Sequence, residues 1–272
     1  MEKIDFKKQL GQNFIFDTNL LKYIVEASGV TYNDKVIEIG AGAGTLSNQL
    51  ALKAKEVVSF EIDKSLKERL LDVEKKHDNL KFIFEDFMNV DLKTYINENE
   101  KVKVVANIPY YITTPIIFKL LDFADNIISM SFMVQKEVAE RFCASENNKM
   151  YGITSVILQS IADVEYVKTI KKECFTPVPK VDSALIKLNL KLNKYNIDDR
   201  KFFIDFVHAS FAMRRKTLVN NLLKKYNLTR DEIEEVLKEN KFDIMIRPEN
   251  ISVENFVKLS NYINHILKNK NN

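Results

Sequence analysis

The sequence predicts an α/β fold with a mostly parallel sheet, followed by a small all-α C-terminal domain. Between about residues 35 and 134, short β-branched apolar runs alternate with amphipathic stretches, which is typical of strand–helix–strand units. In the C-terminal third, the spacing of apolar residues becomes helical throughout. Three of the 6 glycines fall within residues 40–44, directly after a buried strand. Such a cluster indicates a turn at which a ligand can approach the backbone.

The elements of the first part follow in chain order. Runs rich in β-branched and aromatic residues predict the strands Lys35–Gly40, Glu56–Glu61, Lys81–Phe84, Val102–Ala106, Ile127–Val134, Ala162–Lys168 and Ser183–Leu190. The amphipathic stretches predict the helices Thr45–Leu52, Lys64–Lys76 and Pro115–Phe123. Thr114 followed by Pro115 suits an N-cap and a first-turn proline.

A polar segment at residues 191–199 predicts the domain boundary, which divides the chain into residues 1–190 and 191–272. Thr229 and Glu232 form a capping box at the start of one C-terminal helix. Two other helices are indicated by the apolar stripes Phe203, Phe206, Val207, Ser210 and Phe211, and Phe256, Leu259, Ile263 and Ile266. The second domain is therefore expected to be a small helical one.

Composition excludes several classes of protein. Hydrophobic residues make up 46% and charged residues 29% of the chain, as in ordinary globular proteins and unlike disordered or fibrous ones. The sequence has no signal peptide and no apolar run long enough for a membrane helix, and its 2 cysteines form no Cys-x-x-Cys pair. We expect a cytoplasmic protein with no membrane contact, no disulfide framework and no metal.

Positive charge is concentrated in the second domain. The whole chain carries only +3, whereas residues 191–230 hold 10 basic and 3 acidic side chains, including the run Arg214-Arg215-Lys216. Charge alone favours a solvated helix face, and a phosphate-binding patch is the alternative. If the run is helical, its three cations cannot share one face. Arg214 and Arg215 are the better candidates for phosphate contacts, because a guanidinium can bind a phosphate through two hydrogen bonds.

The glycine loop and two acids indicate a nucleotide-like ligand. A dinucleotide fingerprint would need glycine at position 45, where the chain has Thr45, and this argues against NAD or FAD. Glu61 ends the second strand, where a carboxylate can accept from both hydroxyls of a ribose, and no structural partner for it is evident in the sequence. Asp86 follows the third strand and can accept from an adenine amino group. S-adenosylmethionine, which has the ribose but no pyrophosphate, fits this pattern around Gly40.

Asn107-Ile108-Pro109-Tyr110 follows the fourth strand, at the edge where open α/β sheets bind ligands. An amino group on a purine ring is a poor nucleophile, because its lone pair is delocalised into the ring. If the Asn107 side-chain oxygen and the Ile108 carbonyl accept its two N–H bonds, the lone pair turns toward an electrophilic methyl group. Pro109 stiffens the turn, and Tyr110 offers a face on which the base can stack. The alternative is a plain turn with a core tyrosine.

These motifs together resemble the ribosomal RNA adenine dimethyltransferases. The resemblance rests on Gln12-Asn13-Phe14, residues 38–44, Phe60–Asp63, Asn107–Tyr110 and the Phe-x-Pro-x-Pro-Lys-Val-Asp-Ser segment of residues 175–183. It implies a Rossmann-like methyltransferase domain, a helical RNA-recognition domain and S-adenosylmethionine as donor. Catalytic roles then fall on Asn107 and Tyr110. The implied cofactor contacts are Asn13, Ile15, Gly40, Glu61, Asp86 and Asn107.

Residues 134–141 and 211–218 resemble the small-subunit (KsgA) branch of that family. This branch implies dimethylation of two adjacent adenosines in a hairpin loop near the 3′ end of small-subunit RNA. The implied partners are that RNA and the precursor particle of the small subunit. The protein itself is expected to be a monomer. Two alternatives stay open: a large-subunit (Erm-type) methyltransferase and a non-catalytic RNA-binding assembly factor. The second would be expected to lose Glu61 or the Asn107–Tyr110 set, and both are present.

Overall fold

The computed structural model describes Lys7, residues 11–213 and residues 215–271. The described residues form two compact units, of which the first holds those up to Ala139 together with Glu165–Leu190. The second holds Glu140–Val164 and the C-terminal residues from Lys191 onward. In the described ranges, no helix is both long and apolar enough to span a bilayer.

The described strands lie mostly in the first unit. They are β1 (Phe14–Ile15), β2 (Lys35–Ile39), β3 (Glu56–Phe60), β4 (Leu80–Ile83), β5 (Val102–Asn107), β6 (Ile127–Gln135), β7 (Ala162–Ile170), β8 (Phe175–Thr176) and β9 (Ser183–Leu190). β1 and β8 form a separate antiparallel pair, and the other strands form one sheet in the order β4-β3-β2-β5-β6-β9-β7. The neighbours from β4 to β6 are parallel, and β9 is antiparallel to β6. The predicted mostly parallel sheet is confirmed.

The strand order reverses at β2, which has β3 on one side and β5 on the other. In the pairing of β2 with β5, Ile39 lies opposite Ala106. Gly40 and Asn107 therefore leave the sheet side by side at its carboxyl edge. In open α/β sheets this switch point is the place where ligands bind.

The helices are divided between the two units. They are α1 (Thr18–Ser28), α2 (Thr45–Ala51), α3 (Lys67–Glu74), α4 (Thr113–Leu121), α5 (Lys136–Cys143), α6 (Ile153–Ile161), α7 (Arg200–Ser210), α8 (Leu218–Lys225), α9 (Arg230–Glu239) and α10 (Val253–Asn271). Successive residues of β2, such as Val36 and Ile37, are both fully buried. Both faces of the sheet are therefore covered, as is usual for parallel strands.

One predicted helix start is wrong. We expected Thr114 to cap a helix beginning at Pro115, but α4 begins at Thr113. The Ile112 N–H donates to the Pro109 carbonyl (3.1 Å), which turns the chain early, and Ile116 then bonds back to Ile112 (3.1 Å). The turn that follows the Asn107–Tyr110 motif thus leads directly into α4.

The second unit differs from the predicted helical domain in one segment. The sequence placed Glu140–Val164 in the first domain, whereas the structure groups it with the C-terminal helices. The apolar helix α6 packs against α7 and α10, and the Tyr151 hydroxyl donates to the Ile251 carbonyl (2.9 Å). The predicted capping box of α9 is present, with the Thr229 N–H donating to Glu232 (2.7 Å).

Candidate active site

A cavity of about 290 Å³ lies at the carboxyl edge of the sheet in the first unit. Its wall is formed by the segment around β1, the glycine loop and the ends of β3, β4 and β5. All seven site residues predicted for this half of the chain line it: Asn13, Ile15, Gly40, Glu61, Asp86, Asn107 and Tyr110. The fold therefore brings together motifs that are up to 97 positions apart in the sequence.

The glycine loop is a tight turn pressed against the first aromatic residue of β1. The N–H groups of Gly40 and Ala41 both donate to the Phe60 carbonyl (2.9 and 3.1 Å). Gly42 has φ 55°, and a Cβ added there would lie 2.8 Å from the Phe14 ring. Only glycine fits this position without moving Phe14. The loop therefore presents bare backbone to the cavity.

Thr45, which breaks the dinucleotide fingerprint, has a different role. Its hydroxyl donates to the Ile15 carbonyl (2.7 Å). Ile15 in turn pairs with Phe175, so the glycine loop, β1 and the Phe-x-Pro-x-Pro segment are held together. The family resemblance, and not the residue pattern, pointed to Ile15, because a two-residue strand has no recognisable period.

Glu61 is only 6% exposed and has two backbone partners. One carboxyl oxygen accepts from the Gly42 N–H and the other from the Asp63 N–H, each at 2.7 Å. Burial raises the pKa of Glu61, and these two N–H bonds counteract that rise. The expectation that Glu61 has no structural partner is wrong, because its side chain also shapes the glycine loop. Each oxygen keeps a further lone pair for a ligand.

Asp86 lines the cavity and caps the short turn that follows it. Its carboxylate accepts from the Met88 N–H (2.9 Å). Lys119 of α4 donates to the carbonyls of Phe87, Met88 and Val90 at 2.6–2.8 Å, which holds this loop in place. Burial lowers the pKa of Lys119, and the charge of Asp86 counteracts that fall. Sequence reasoning missed Lys119, whose one signal is a lone cation within the apolar run of α4.

The Asn107 amide is held in a defined orientation. Its nitrogen donates to the Asn13 carbonyl (2.7 Å), and a carbonyl can only accept. The amide oxygen of Asn107 is therefore the atom of this side chain that can accept a hydrogen bond from a ligand in the cavity. This contact also places the Asn13 carbonyl beside the Asn107 amide, and the Asn13 amide itself donates to the Gly11 carbonyl (3.1 Å).

Tyr110 is half-buried, and its hydroxyl shares a hydrogen bond with the Ser183 hydroxyl (2.6 Å). Burial raises the pKa of Tyr110, with the Ser183 bond acting in the opposite direction, so the phenol stays neutral. Ser183 is the first residue of β9 and is fully buried. The ring of Tyr110 is thus fixed at both ends, which suits a stacking surface better than a proton donor.

Glu38, within β2 and behind the glycine loop, is a buried acid that sequence reasoning did not single out. It is 0% exposed, and its carboxyl accepts from the Ser59 hydroxyl (2.5 Å). Burial raises its pKa to about 8, with a further contribution from the charge of Glu61. Glu38 is consequently neutral at neutral pH.

The predicted phosphate-binding residues lie in the second unit. Arg214 falls outside the described residues. Arg215 is exposed and lies in the loop between α7 and α8 with φ 70°, so the helical path considered for this run is wrong. The buried Asn221 holds the loop, accepting from the Met213 N–H (2.7 Å). The structure assigns the Arg215 side chain no ion pair within the described part of the chain.

The cavity fits the methyl donor implied by the motifs. Bare backbone at Gly40 and Gly42 allows close approach, and the carboxyl-bearing residues Glu61 and Asp86 both line the wall. A ligand with a diol and an exocyclic amine needs two such acceptors. The cavity has no cluster of cations that would suit a pyrophosphate among its described lining residues.

The chain is similar in sequence to known ribosomal RNA methyltransferases. The ribosomal RNA small subunit methyltransferase A of Clostridium acetobutylicum is 41% identical over 266 residues, which cover 97% of this chain and 96% of that protein. The protein of the same name from Listeria monocytogenes is 42% identical over 276 residues, covering 97% and 93%.

Two solved structures share the fold. A dimethyladenosine transferase from Plasmodium falciparum has a TM-score of 0.80 at 25% identity, over 93% of this chain and 98% of that one. The 23S rRNA methyltransferase ErmE has a TM-score of 0.72 at 25% identity, over 93% and 100%. These matches confirm the Rossmann-like methyltransferase fold. Because the model of the ribosomal RNA adenine dimethylases also matches residues 3–265, the chain belongs to that family.

Proposed function

We propose that this chain uses S-adenosylmethionine to dimethylate the exocyclic amines of two adjacent adenosines in a 3′-terminal hairpin loop of small-subunit ribosomal RNA. The observation that carries this proposal is the Asn107 amide, fixed by the Asn13 carbonyl (2.7 Å) at the switch point beside Gly40. The choice of the small subunit is supported by relatives at 41–42% identity that bear the name ribosomal RNA small subunit methyltransferase A.

Asn107 and Ile108 act on the target amine. The Asn107 Oδ1 atom and the Ile108 carbonyl accept its two N–H bonds, which draws the nitrogen out of conjugation with the ring and directs its lone pair into the cavity. When bound, S-adenosylmethionine supplies an electrophilic methyl group. Once methylated, the nitrogen is acidic, and its N–H proton leaves to water or to an accepting carbonyl. No side chain is needed as a general base.

The other lining residues bind and orient. Tyr110 stacks on the base, and its bond to Ser183 (2.6 Å) holds the ring at the correct angle. Glu61 accepts from the ribose hydroxyls of the donor, and Asp86 accepts from its adenine amine. Asn13, Ile15 and Gly40 complete the cofactor wall through their backbone atoms.

RNA is bound outside this cavity as well. Arg215 is exposed and held in a left-handed conformation, which for a residue other than glycine carries strain. Strain of this kind often marks functional loops. We assign Arg215, with its neighbour Arg214, to phosphate contacts. The substrate is further proposed to be the precursor particle of the small subunit, bound by a monomer in the cytoplasm.

Methyl transfer from labelled S-adenosylmethionine to purified unmodified ribosomal subunits tests the proposal. Small subunits should accept two methyl groups on each of the adjacent adenosines, and large subunits should accept none. Asn107→Ala serves as the matched control. Labelling of large subunits instead would favour the Erm-type activity, and binding without labelling would favour a non-catalytic assembly factor.

A further inference from the structure

Asp63 ties a segment near the N-terminus to the loop that carries Glu61. Lys7 Nζ donates to one oxygen of the Asp63 carboxylate (2.6 Å), and Gln12 Nε2 donates to the other (2.7 Å). These two contacts span 56 and 51 residues of sequence. The Lys7 backbone N–H also donates to the Gln12 side chain (2.9 Å), so the two donors are linked to each other.

We call Lys7 together with residues 11–15 the strap. Its residues 11–15 all line the cavity in which the donor is proposed to bind. The strap also supplies the Asn13 carbonyl that orients Asn107. Its C-terminal end is pinned by Thr45 through the Ile15 carbonyl, and its N-terminal end is pinned by Asp63.

Local capping alone does not account for Asp63. The carboxylate accepts from the Ser65 N–H (3.0 Å) and hydroxyl (2.6 Å), as in many short turns. Those bonds would form without Lys7 or Gln12. Asp63 is nevertheless 2% exposed, with four donors on one carboxylate. Burial raises its pKa, but the bonds from Lys7, Ser65 and Gln12 outweigh burial and lower the pKa to about 2.

Asp63 is also connected to the ligand side of the cavity. Its backbone N–H donates to Glu61 Oε1, while the Gly42 N–H donates to Glu61 Oε2. The glycine loop, Glu61, Asp63 and the strap therefore form one continuous chain of hydrogen bonds. A substitution of Asp63 is therefore expected to affect both the strap, which lines the cavity, and Glu61, the proposed ribose acceptor.

We propose that Asp63 is a positioning residue. Its hydrogen bonds to Lys7 and Gln12, which we call the latch, hold the strap against the cavity and slow the exchange of S-adenosylmethionine. This inference rests on the proposed binding of that donor in the cavity. With the latch closed, the strap forms a wall of the site. With the latch broken, the strap keeps its contacts with Thr45, Asn107 and β8 but loses those that hold its N-terminal end, and the donor leaves faster.

The variants to compare are Lys7→Met, Asp63→Asn and Lys7→Arg. Stopped-flow displacement of S-adenosylmethionine should show a dissociation rate about tenfold higher in Lys7→Met and Asp63→Asn, as expected from losing one charge-assisted hydrogen bond. Lys7→Arg keeps the ion pair and should restore a slow rate. Asp72→Asn, which breaks the exposed pair with Lys75 (2.8 Å), is the matched control and should leave the rate as it is.

Two further measurements separate latching from general stability. Hydrogen exchange should become faster in residues 11–15 of Lys7→Met and stay unchanged in the sheet. KM for S-adenosylmethionine should rise much more than kcat falls. If Lys7→Met and Asp63→Asn release the donor at the wild-type rate, the proposed role of the latch is wrong and the proposed function stands. If wild-type protein binds no donor, the proposed function itself fails. Because Lys7 is 46% exposed, its variant tests the latch even if Asp63→Asn does not fold.

Discussion

Glu38→Gln should remove a pH dependence of stability that the structure places on one buried acid. The Glu38 carboxyl accepts from Ser59 (2.5 Å). Ser47 lies beside it and favours the charged form, although Glu38 Oε1 and Ser47 Oγ make no hydrogen bond of good geometry within the described residues. Burial dominates and raises the pKa from 4.5 to about 8, with Glu61 adding to the rise.

The size of this effect on the free energy of unfolding follows from the difference between the pKa of Glu38 in the folded and unfolded chains. In the unfolded chain the carboxyl releases its proton near pH 4.5, whereas in the folded chain it keeps the proton up to about pH 8. The raised pKa means that the contribution of Glu38 is fully present below pH 4.5 and is lost as the pH rises toward 8. At 1.36 kcal/mol per pKa unit, the loss approaches about 5 kcal/mol once the pH has passed 8.

Glutamine has a similar shape and no proton to release. Urea unfolding of both proteins at intervals from pH 4.5 to pH 8 gives the difference between their free energies of unfolding, in which the other titrating groups cancel. The difference should change steadily in favour of Glu38→Gln as the pH rises. Two parallel curves would refute the reasoning, because they would show that Glu38 titrates alike in the folded and unfolded chains.

Three further substitutions test the site. Glu61→Ala should lower S-adenosylmethionine affinity in calorimetric titration by about tenfold or more and also lower Tm, because Gly42 and Asp63 lose their acceptor. Affinity equal to wild type would remove Glu61 from the site. Asn107→Ala should keep RNA binding in filter assays while methyl transfer falls by about a hundredfold, and an equal loss of both would show that its role is misassigned. Arg215→Gln should reduce the salt slope of RNA binding by about 0.7 and leave cofactor affinity unchanged; an unchanged slope would make the loop structural.

The sheet and the position of the site were predictable from sequence for a physical reason. Fully buried parallel strands need continuous β-branched runs, and ligand-binding residues must follow such strands at one edge. Reading the residues after each strand therefore located Gly40, Glu61, Asp86 and Asn107 in one place. The structure brings all four to the wall of the same cavity.

The missed features are contacts between distant segments that leave no periodic pattern. β1 and β8 are two residues each, and their pairing of Ile15 with Phe175 cannot be recognised from either segment alone. Lys119 lies in an otherwise apolar helix, and only the fold shows that it holds the loop after Asp86. The prediction of a helix through Arg215 was wrong because the left-handed backbone at this residue interrupts the helical path. The apolar stripes on either side do not show such a break.

The three acids near the glycine loop differ in pKa and in charge partners because their surroundings differ. Glu38 lies between serines and is neutral up to about pH 8, so it adds no like charge behind Glu61 at neutral pH. Asp63 has a pKa of about 2, lowered by its donors against the effect of burial, and its charge is offset by Lys7. Glu61, between them, faces the cavity with backbone donors and no cationic partner among the described residues. A positively charged donor that carries two ribose hydroxyls supplies what that carboxylate lacks, which is why the arrangement favours S-adenosylmethionine over a neutral or anionic nucleotide.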